Sequence, residues 1–181
     1  VSDSNPASSS TPRPAITDDD GQLILPDALR PLNNEDAPRC AQLEKQLFGE
    51  DDPWSEQAFY YEFAGRTIYL GYEDNGVLVG YAGLAMLGPE DDPEFEIHTI
   101  GVDPDYRRQG IATLMLQVFV DVADYYEGPI FLECRTDNTA AVTLYQRYGF
   151  GVIDERKNYY QPSGADAYVM QRNPHGAPNP S

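Results

Sequence analysis

The spacing of apolar residues changes several times along this chain, and each change of period predicts an element. Ala28 to Leu32 reads as a short strand. Asn33 and Asn34 are good helix caps, and Ala37, Cys40, Leu43 and Leu47 fall on one face of the helix they would start. Pro53-Trp54-Ser55 interrupts the chain, and Ser55 can cap a second helix through about Ala64. From Thr67 the period changes. Thr67–Glu73 and Val77–Leu87 read as strands, joined by the hairpin signal Asp74-Asn75-Gly76. The acidic stretch 89–93 is a loop, and Phe95 to Val102 is the strand after it.

Past Val102 the pattern alternates between helix and strand. Ile111, Leu114, Met115, Val118, Phe119, Val122, Ala123 and Tyr126 recur at helical spacing, which predicts an amphipathic helix. Ile130–Cys134 is a short strand, and Ala141, Leu144, Tyr145 and Tyr148 mark one face of a helix that stops at Gly149. Two last strands, near Phe150–Arg156 and Ala167–Gln171, flank a loop of Tyr, Pro, Ser and Gly. The order βααβββαβαββ predicts an α/β (α+β) protein, a mixed sheet with helices on both faces. Residues 1–26, rich in Ser, Pro, Asn and Asp, bury too little apolar surface to offset their ordering entropy and are expected to form a disordered tail. Residues 173–181, with three prolines and a glycine, are expected to form another, which leaves one domain over 27–172.

Composition narrows the function classes. A chain of 181 residues suffices for one domain with a sizeable core. Its net charge of -18 argues against a nucleic-acid binder that tracks phosphates. The same charge is compatible with a cationic substrate, although solubility is the simpler explanation. No apolar run approaches the ~18 residues of a membrane span, and no secretory signal pattern opens the chain, so a cytoplasmic protein is expected. Cys40 and Cys134 form no CxxC pair and lack histidine neighbours, so neither a disulfide framework nor a metal site is expected.

Asp103-Pro-Asp-Tyr-Arg-Arg-Gln-Gly-Ile-Ala112 lies between the strand ending at Val102 and the amphipathic helix. A helix starting near Gly110 leaves its first N–H groups unpaired and partly positive, which suits a diphosphate, and glycine lets a ligand come close to the backbone. Arg107 and Arg108 add charge. The spelling fits neither the nucleoside-triphosphate loop nor the dinucleotide fingerprint. Arg107-x-x-Gly110-x-Ala112 matches instead the diphosphate element of the GNAT acetyltransferases.

The likeness extends well beyond that string. His-Thr-Ile-Gly-Val-Asp-Pro-Asp-Tyr-Arg-Arg-Gln-Gly-Ile-Ala (98–112) resembles the acetyl-CoA-binding strand, loop and helix of the GNAT superfamily. Residues 132–141 and 144–150 resemble its next strand and helix. Arg156-Lys157-Asn158-Tyr159-Tyr160, Ala165-Asp166-Ala167 and Pro53-Trp54-Ser55 resemble more narrowly its ribosomal-protein alanine N-acetyltransferases. The resemblance spans about 28 to 172. It implies a mostly antiparallel sheet of about seven strands with about four helices, acetyl-CoA as co-substrate, no metal, and the N-terminus of a ribosomal protein or similar peptide as partner. It further implies that backbone amides of Arg107, Arg108, Gln109, Gly110, Ile111 and Ala112, with Thr113 nearby, hold the diphosphate. By the same likeness Ile100 and Val102 pair with the pantetheine arm like an added strand, and Asn138 contacts that arm. Asn138 also reads simply as a helix cap.

Acetyl transfer to an amine needs the amine neutral and a proton for the departing thiolate. A peptide α-amine, with a reference pKa near 7.7–8.0, needs only a modest base. Glu133 is a carboxylate in an otherwise apolar strand, and the resemblance puts it at the general-base position; a structural pairing with Arg135 or a backbone amide is the competing explanation. Glu96 and His98, on one face of the preceding strand, are rival holders of the base water or of a cationic peptide. Tyr145 is the acid by resemblance and a core aromatic by periodicity. Tyr159 and Tyr160 sit where the resemblance implies peptide binding, and Trp54 either lines the same groove or packs. No Ser or Cys nucleophile constellation is present, which favours direct transfer. Acetylation of a lysine or small amine, or mere sensing of acetyl-CoA, remain open; a sensor would need neither Glu133 nor Tyr145.

Overall fold

Asn33 starts helical structure as its residue type predicts. Its side chain accepts from Glu35 N (2.9 Å), and the Asp36 carboxylate accepts from Asn33 N (2.9 Å), closing a capping box around a 3-10 turn. The turn runs into helix α1 (Ala37–Phe48), and Ser55 caps helix α2 (Glu56–Phe63) through Ala58 N. In the computed structural model, which describes residues 16–180, the predicted order of elements is present. Strand β1 (Leu29–Pro31) precedes these helices; β2 (Thr67–Asp74), β3 (Val77–Leu87) and β4 (Glu94–Val102) follow. Then come α3 (Ile111–Tyr125), β5 (Ile130–Arg135), α4 (Thr139–Arg147), β6 (Gly151–Arg156) and β7 (Ala167–Arg172).

The seven strands form one sheet in the order β1-β2-β3-β4-β5-β7-β6, antiparallel except where β4 meets β5. Helices α1 and α2 cover one face, burying Cys40, Leu43 and Phe59 against Tyr69, Leu78 and Tyr81. On the other face Met115, Leu116 and Phe119 of α3 pack on Val79, Leu84, Phe95 and Ile97. Burial of these side chains supplies the main driving force for the fold. Cys40 and Cys134 are small buried residues, as their sequence context implies; burial pushes the Cys40 thiol up to about 12 and the Cys134 thiol to about 11.

Both expected tails need correction where the structure describes them. Residues 1–15 and Ser181 lie outside the described residues. Residues 16–26 fold back through a Thr17–Leu23 bridge, and Ile16, Leu23 and Leu25 pack on the core beside α3. At the other end Asn173 N donates to Asn179 Oδ1 (3.2 Å), His175 N donates to Asp124 Oδ1 (2.9 Å), and Pro180 lies against Gly151. The packed body therefore runs past both expected boundaries, 27 and 172. Average composition misses this because a few apolar residues at matching positions suffice to dock a short segment.

Candidate active site

A gap in the sheet makes the site. Among the described residues, β4 and β5 pair only at Phe95–Ile130 and Glu96–Phe131, although both strands continue. The register between β3 and β4 jumps from Leu84–Ile97 to Gly83–Thr99, so His98 is the extra residue of a β-bulge. The bulge reverses the alternation of faces: Phe95 and Ile97 join the core under α3, while Thr99 meets α1 through Glu44. Past it, β4 and β5 splay around a narrow cavity of about 180 Å³. Ile100, Asn138, Tyr145, Glu133, His98, Trp54 and Tyr160 are among its lining residues. It opens onto a wider cleft of about 750 Å³ that adds Glu96 and Tyr159. Thus the residues expected in catalysis and peptide binding are brought together, with Ile100 and Asn138.

The loop expected to hold diphosphate stands at the far end of β4. Asp103 fixes its start: the side chain accepts from Asp105 N (3.0 Å) and from Arg39 Nη2 (3.0 Å) of α1. Tyr106 donates to Asp74 (2.9 Å) and fixes the middle. Arg107, Arg108 and Gln109 are exposed. Gly110 sits at φ 77 with no capping side chain, so the first N–H groups of α3, at Ile111, Ala112 and Thr113, are left for a ligand. A left-handed residue here is costly for anything but glycine. Gly80 permits the approach of β3 to this helix start, since a Cβ there would lie 2.7 Å from Ile111 Cγ2. An uncapped helix start, flanked by two exposed arginines and continuous with a free strand edge, fits the diphosphate and arm of acetyl-CoA.

Glu133, on β5, faces the junction of the two cavities. Arg156 Nη1 of β6 lies 3.1 Å from its Oε1. The same carboxylate, close to Tyr159, is the main cause pushing the Tyr159 hydroxyl up to about 12. The Arg156 guanidinium stands 5.5 Å above the Tyr159 ring. Pairing of Glu133 with Arg135, the structural alternative, is not found; Arg156 takes that place. Tyr145, on α4, is buried against Phe150 with ring centroids 5.6 Å apart, and it lines the narrow cavity. Burial pushes this phenol well above its usual range. Asn138 does cap α4, accepting from Ala141 N (3.2 Å), and it lines the cavity as well.

The opposite wall comes from α1, α2 and their connection. Trp54 packs 5.8 Å from the His98 ring and 5.9 Å from Phe59, so it both packs and lines the cleft. His98 Nδ1 lies 2.8 Å from Glu62 of α2, which also accepts from Tyr69 (3.1 Å), leaving Nε2 of the imidazole for the cleft. Asp51 bridges the two walls. It pairs with Arg135 and accepts from Ser163 N (2.9 Å) and Oγ (2.6 Å) in the β6–β7 loop. Arg135 in turn stacks 5.8 Å from the Tyr160 ring. The wider cleft is lined by Glu50, Asp51, Asp52, Glu96 and Glu133, with no Lys or Arg among the described lining residues. A separate groove of about 700 Å³ between residues 16–26 and α3 shares no lining residue with the site.

Several of these residues escaped the sequence reading. Glu62, Asp51 and Ser163 act across long sequence separations and carry no local signal; Arg156 belongs to a string that carries the resemblance, but nothing in it points to Glu133. Glu44 carried one: it falls four residues after Cys40 and three before Leu47, on the apolar stripe of α1, where a carboxylate is out of place.

Comparisons with known proteins agree with this architecture. The family model described as "Acetyltransferase (GNAT) family" matches residues 29–150. "N-alpha-acetyltransferase RimI" of Mycobacterium tuberculosis is 49% identical over 142 residues, covering 78% of this chain and 89% of the relative. The crystal structure of the ribosomal-protein-S18-alanine N-acetyltransferase from Escherichia coli superposes with a TM-score of 0.69 at 30% identity, covering 82% of this chain and 94% of that one. Arabidopsis thaliana NAA60 in complex with a bisubstrate analogue shares the fold, with a TM-score of 0.72 at 20% identity over 82% of this chain and 98% of that one.

Proposed function

The chain belongs to the GNAT acetyltransferase family and is an acetyl-CoA-dependent N-acetyltransferase, and from that premise we propose that its acceptor is the α-amine of a protein N-terminus. The substrate is the N-terminal alanine of ribosomal small-subunit protein bS18, the substrate named for its relatives. One observation carries the proposal: Glu133 stands where the cavity beside the free β4 edge meets an acidic, aromatic cleft wide enough for a peptide end.

Acetyl-CoA supplies the thioester. The uncapped start of α3 and the exposed Arg107 and Arg108 bind its diphosphate, and the free edge at Ile100 and Val102 aligns its arm. The carboxylates around the mouth draw in the ammonium form of the peptide. Tyr159 and Tyr160 hold its backbone, and Trp54 packs against its first residue. Glu133 removes the amine proton, directly or through one water, with Glu96 and His98 lining the same route. Transfer is direct, since both cysteines are buried with thiols pushed upward. The neutral amine attacks the thioester carbonyl, and as the C–S bond breaks Tyr145, a phenol already protonated at neutral pH and held more firmly so by burial, gives its proton to the departing thiolate; the proton left on the new amide nitrogen passes to water, from which the phenolate is reprotonated. A ribosomal substrate supports a cytoplasmic site of action.

The test is thiol release from acetyl-CoA with an Ala-first peptide, beside an N-blocked peptide carrying one lysine. Turnover of the free N-terminus alone is expected. Turnover of only the lysine peptide would overturn the substrate assignment while leaving the family intact.

A further inference from the structure

Glu44 has 2% of its surface exposed and forms no ion pair among the described residues. A buried carboxylate without a cation is unfavourable, and burial accordingly pushes this carboxyl above its ordinary range. Three donors offset that cost: the Thr99 hydroxyl, the Tyr81 hydroxyl (2.9 Å) and, more weakly, the Trp54 N–H (3.3 Å). They come from β4, β3 and the α1–α2 connection. A carboxylate held only by donors is fully used as an acceptor, and an amide of the same shape would set N–H against N–H or O–H.

The place of Thr99 gives this cage a purpose. It is the first residue past the His98 bulge, where the side chains of β4 change face and its pairing with β5 has already stopped. Two adjacent strand edges with free N–H and C=O groups tend to close on one another. Here they stay apart around the narrow cavity, and Glu44 and Thr99 both line it. The Glu44–Thr99 bond ties β4 towards α1 at that point.

We infer that Glu44 is a positioning residue for acetyl-CoA: through Thr99 it holds the β4 edge, from Ile97 to Val102, apart from β5 so that one extended ligand arm fits between them. The inference rests on the family's use of acetyl-CoA and is independent of which amine is acetylated. It concerns the arm alone, because the diphosphate loop is fixed separately by Asp103 and Tyr106.

That separation supplies the test. Titration calorimetry on the full chain compares acetyl-CoA with 3′-phospho-ADP, which carries the diphosphate and lacks the arm. Glu44→Gln and Thr99→Val are each expected to weaken acetyl-CoA by about tenfold, of the order of one lost charge-assisted hydrogen bond, and to leave 3′-phospho-ADP within about twofold. Thr99→Ser keeps the hydroxyl and is expected to bind acetyl-CoA like the parent. The double variant is expected to be no worse than the poorer single one. Should Glu44→Gln not fold, Thr99→Val decides alone, because it leaves Glu44 bonded to Tyr81 and Trp54. Acetyl-CoA affinity within about twofold of the parent in the folded variants overturns the inference. So does an equal weakening of both ligands, the mark of general loosening.

Discussion

Replacing Tyr145 by Phe removes one oxygen and leaves the ring in its contact with Phe150. The phenol lines the narrow cavity, and burial and nearby charges, not a side-chain hydrogen bond, set its environment, so the change is expected to break no bond the fold relies on. Losing a buried hydrogen bond costs about 1 kcal/mol. Here stability is expected to move by less than about 0.5 kcal/mol, a shift of roughly 1–2 °C for a domain of this size. Activity is another matter. The phenol is protonated at neutral pH, the more firmly for its burial, and a positioned general acid contributes about 10²–10⁴-fold. At the low end of that range kcat falls about 100-fold, equivalent to about 2.7 kcal/mol of transition-state stabilisation. The assay is thiol release at saturating acetyl-CoA and Ala-first peptide, run beside a thermal melt of the same sample. A kcat within about threefold of the parent and an unchanged melt would refute the reasoning, because the thiolate would be leaving without this proton. A melt lowered by more than about 3 °C would revive the core-aromatic alternative.

Three further outcomes follow from the structure. Gly110→Ala places a Cβ in open space at φ 77, so its cost is purely conformational, about 1 kcal/mol; a denaturant midpoint equal to the parent's would mean the loop is not held left-handed. Arg172→Met breaks a two-pronged pair with Asp124 (2.8 and 3.0 Å) and a bond to Tyr148 O (2.8 Å), and should cost about 3 kcal/mol in urea unfolding; a loss under about 1 kcal/mol would show that Asp124 re-solvates freely. Glu133→Gln should impair kcat/KM most at low pH and progressively less above the reference amine pKa of about 7.7–8.0, where the peptide sheds its own proton. A deficit of constant size between about pH 6.5 and 9 would remove Glu133 as the base.

The alternating and helical periods were legible because burial on one face imposes them, and they locate every strand and helix to within a few residues. The diphosphate loop was legible for a related reason: it is contiguous, and its glycine answers a local backbone requirement at φ 77. What could not be read was anything that depends on where strands stop pairing. Of the residues between Phe95 and Val102 only Gly101 departs from an ordinary strand, and it answers the close approach of Tyr81 three residues past the bulge at His98; only the partner register of β3 reveals that bulge. Glu133 was legible as a carboxylate among apolar neighbours, but its partner was not. Arg135 is two residues away along the same strand, whereas Arg156 reaches Glu133 from β6, a strand on the far side of β7. Glu44 broke the apolar stripe of α1 in plain view, yet a Glu in a helix is so ordinary that only its burial gives it meaning.

The gap between β4 and β5 has a thermodynamic consequence. A sheet that leaves an edge open for a ligand lets that ligand supply hydrogen bonds the chain does not make for itself. Above its dissociation constant, each tenfold rise in free acetyl-CoA then adds about 1.4 kcal/mol to the stability of the folded state, roughly 3–5 °C in melting temperature. The protein is therefore sturdiest when ligands carrying that diphosphate and arm, acetyl-CoA and free CoA alike, are plentiful, and most exposed to unfolding and proteolysis when they are scarce. Its abundance, and not only its turnover, would then follow the CoA pool, a coupling that melts taken along an acetyl-CoA series would reveal as a steady slope and refute as a flat line.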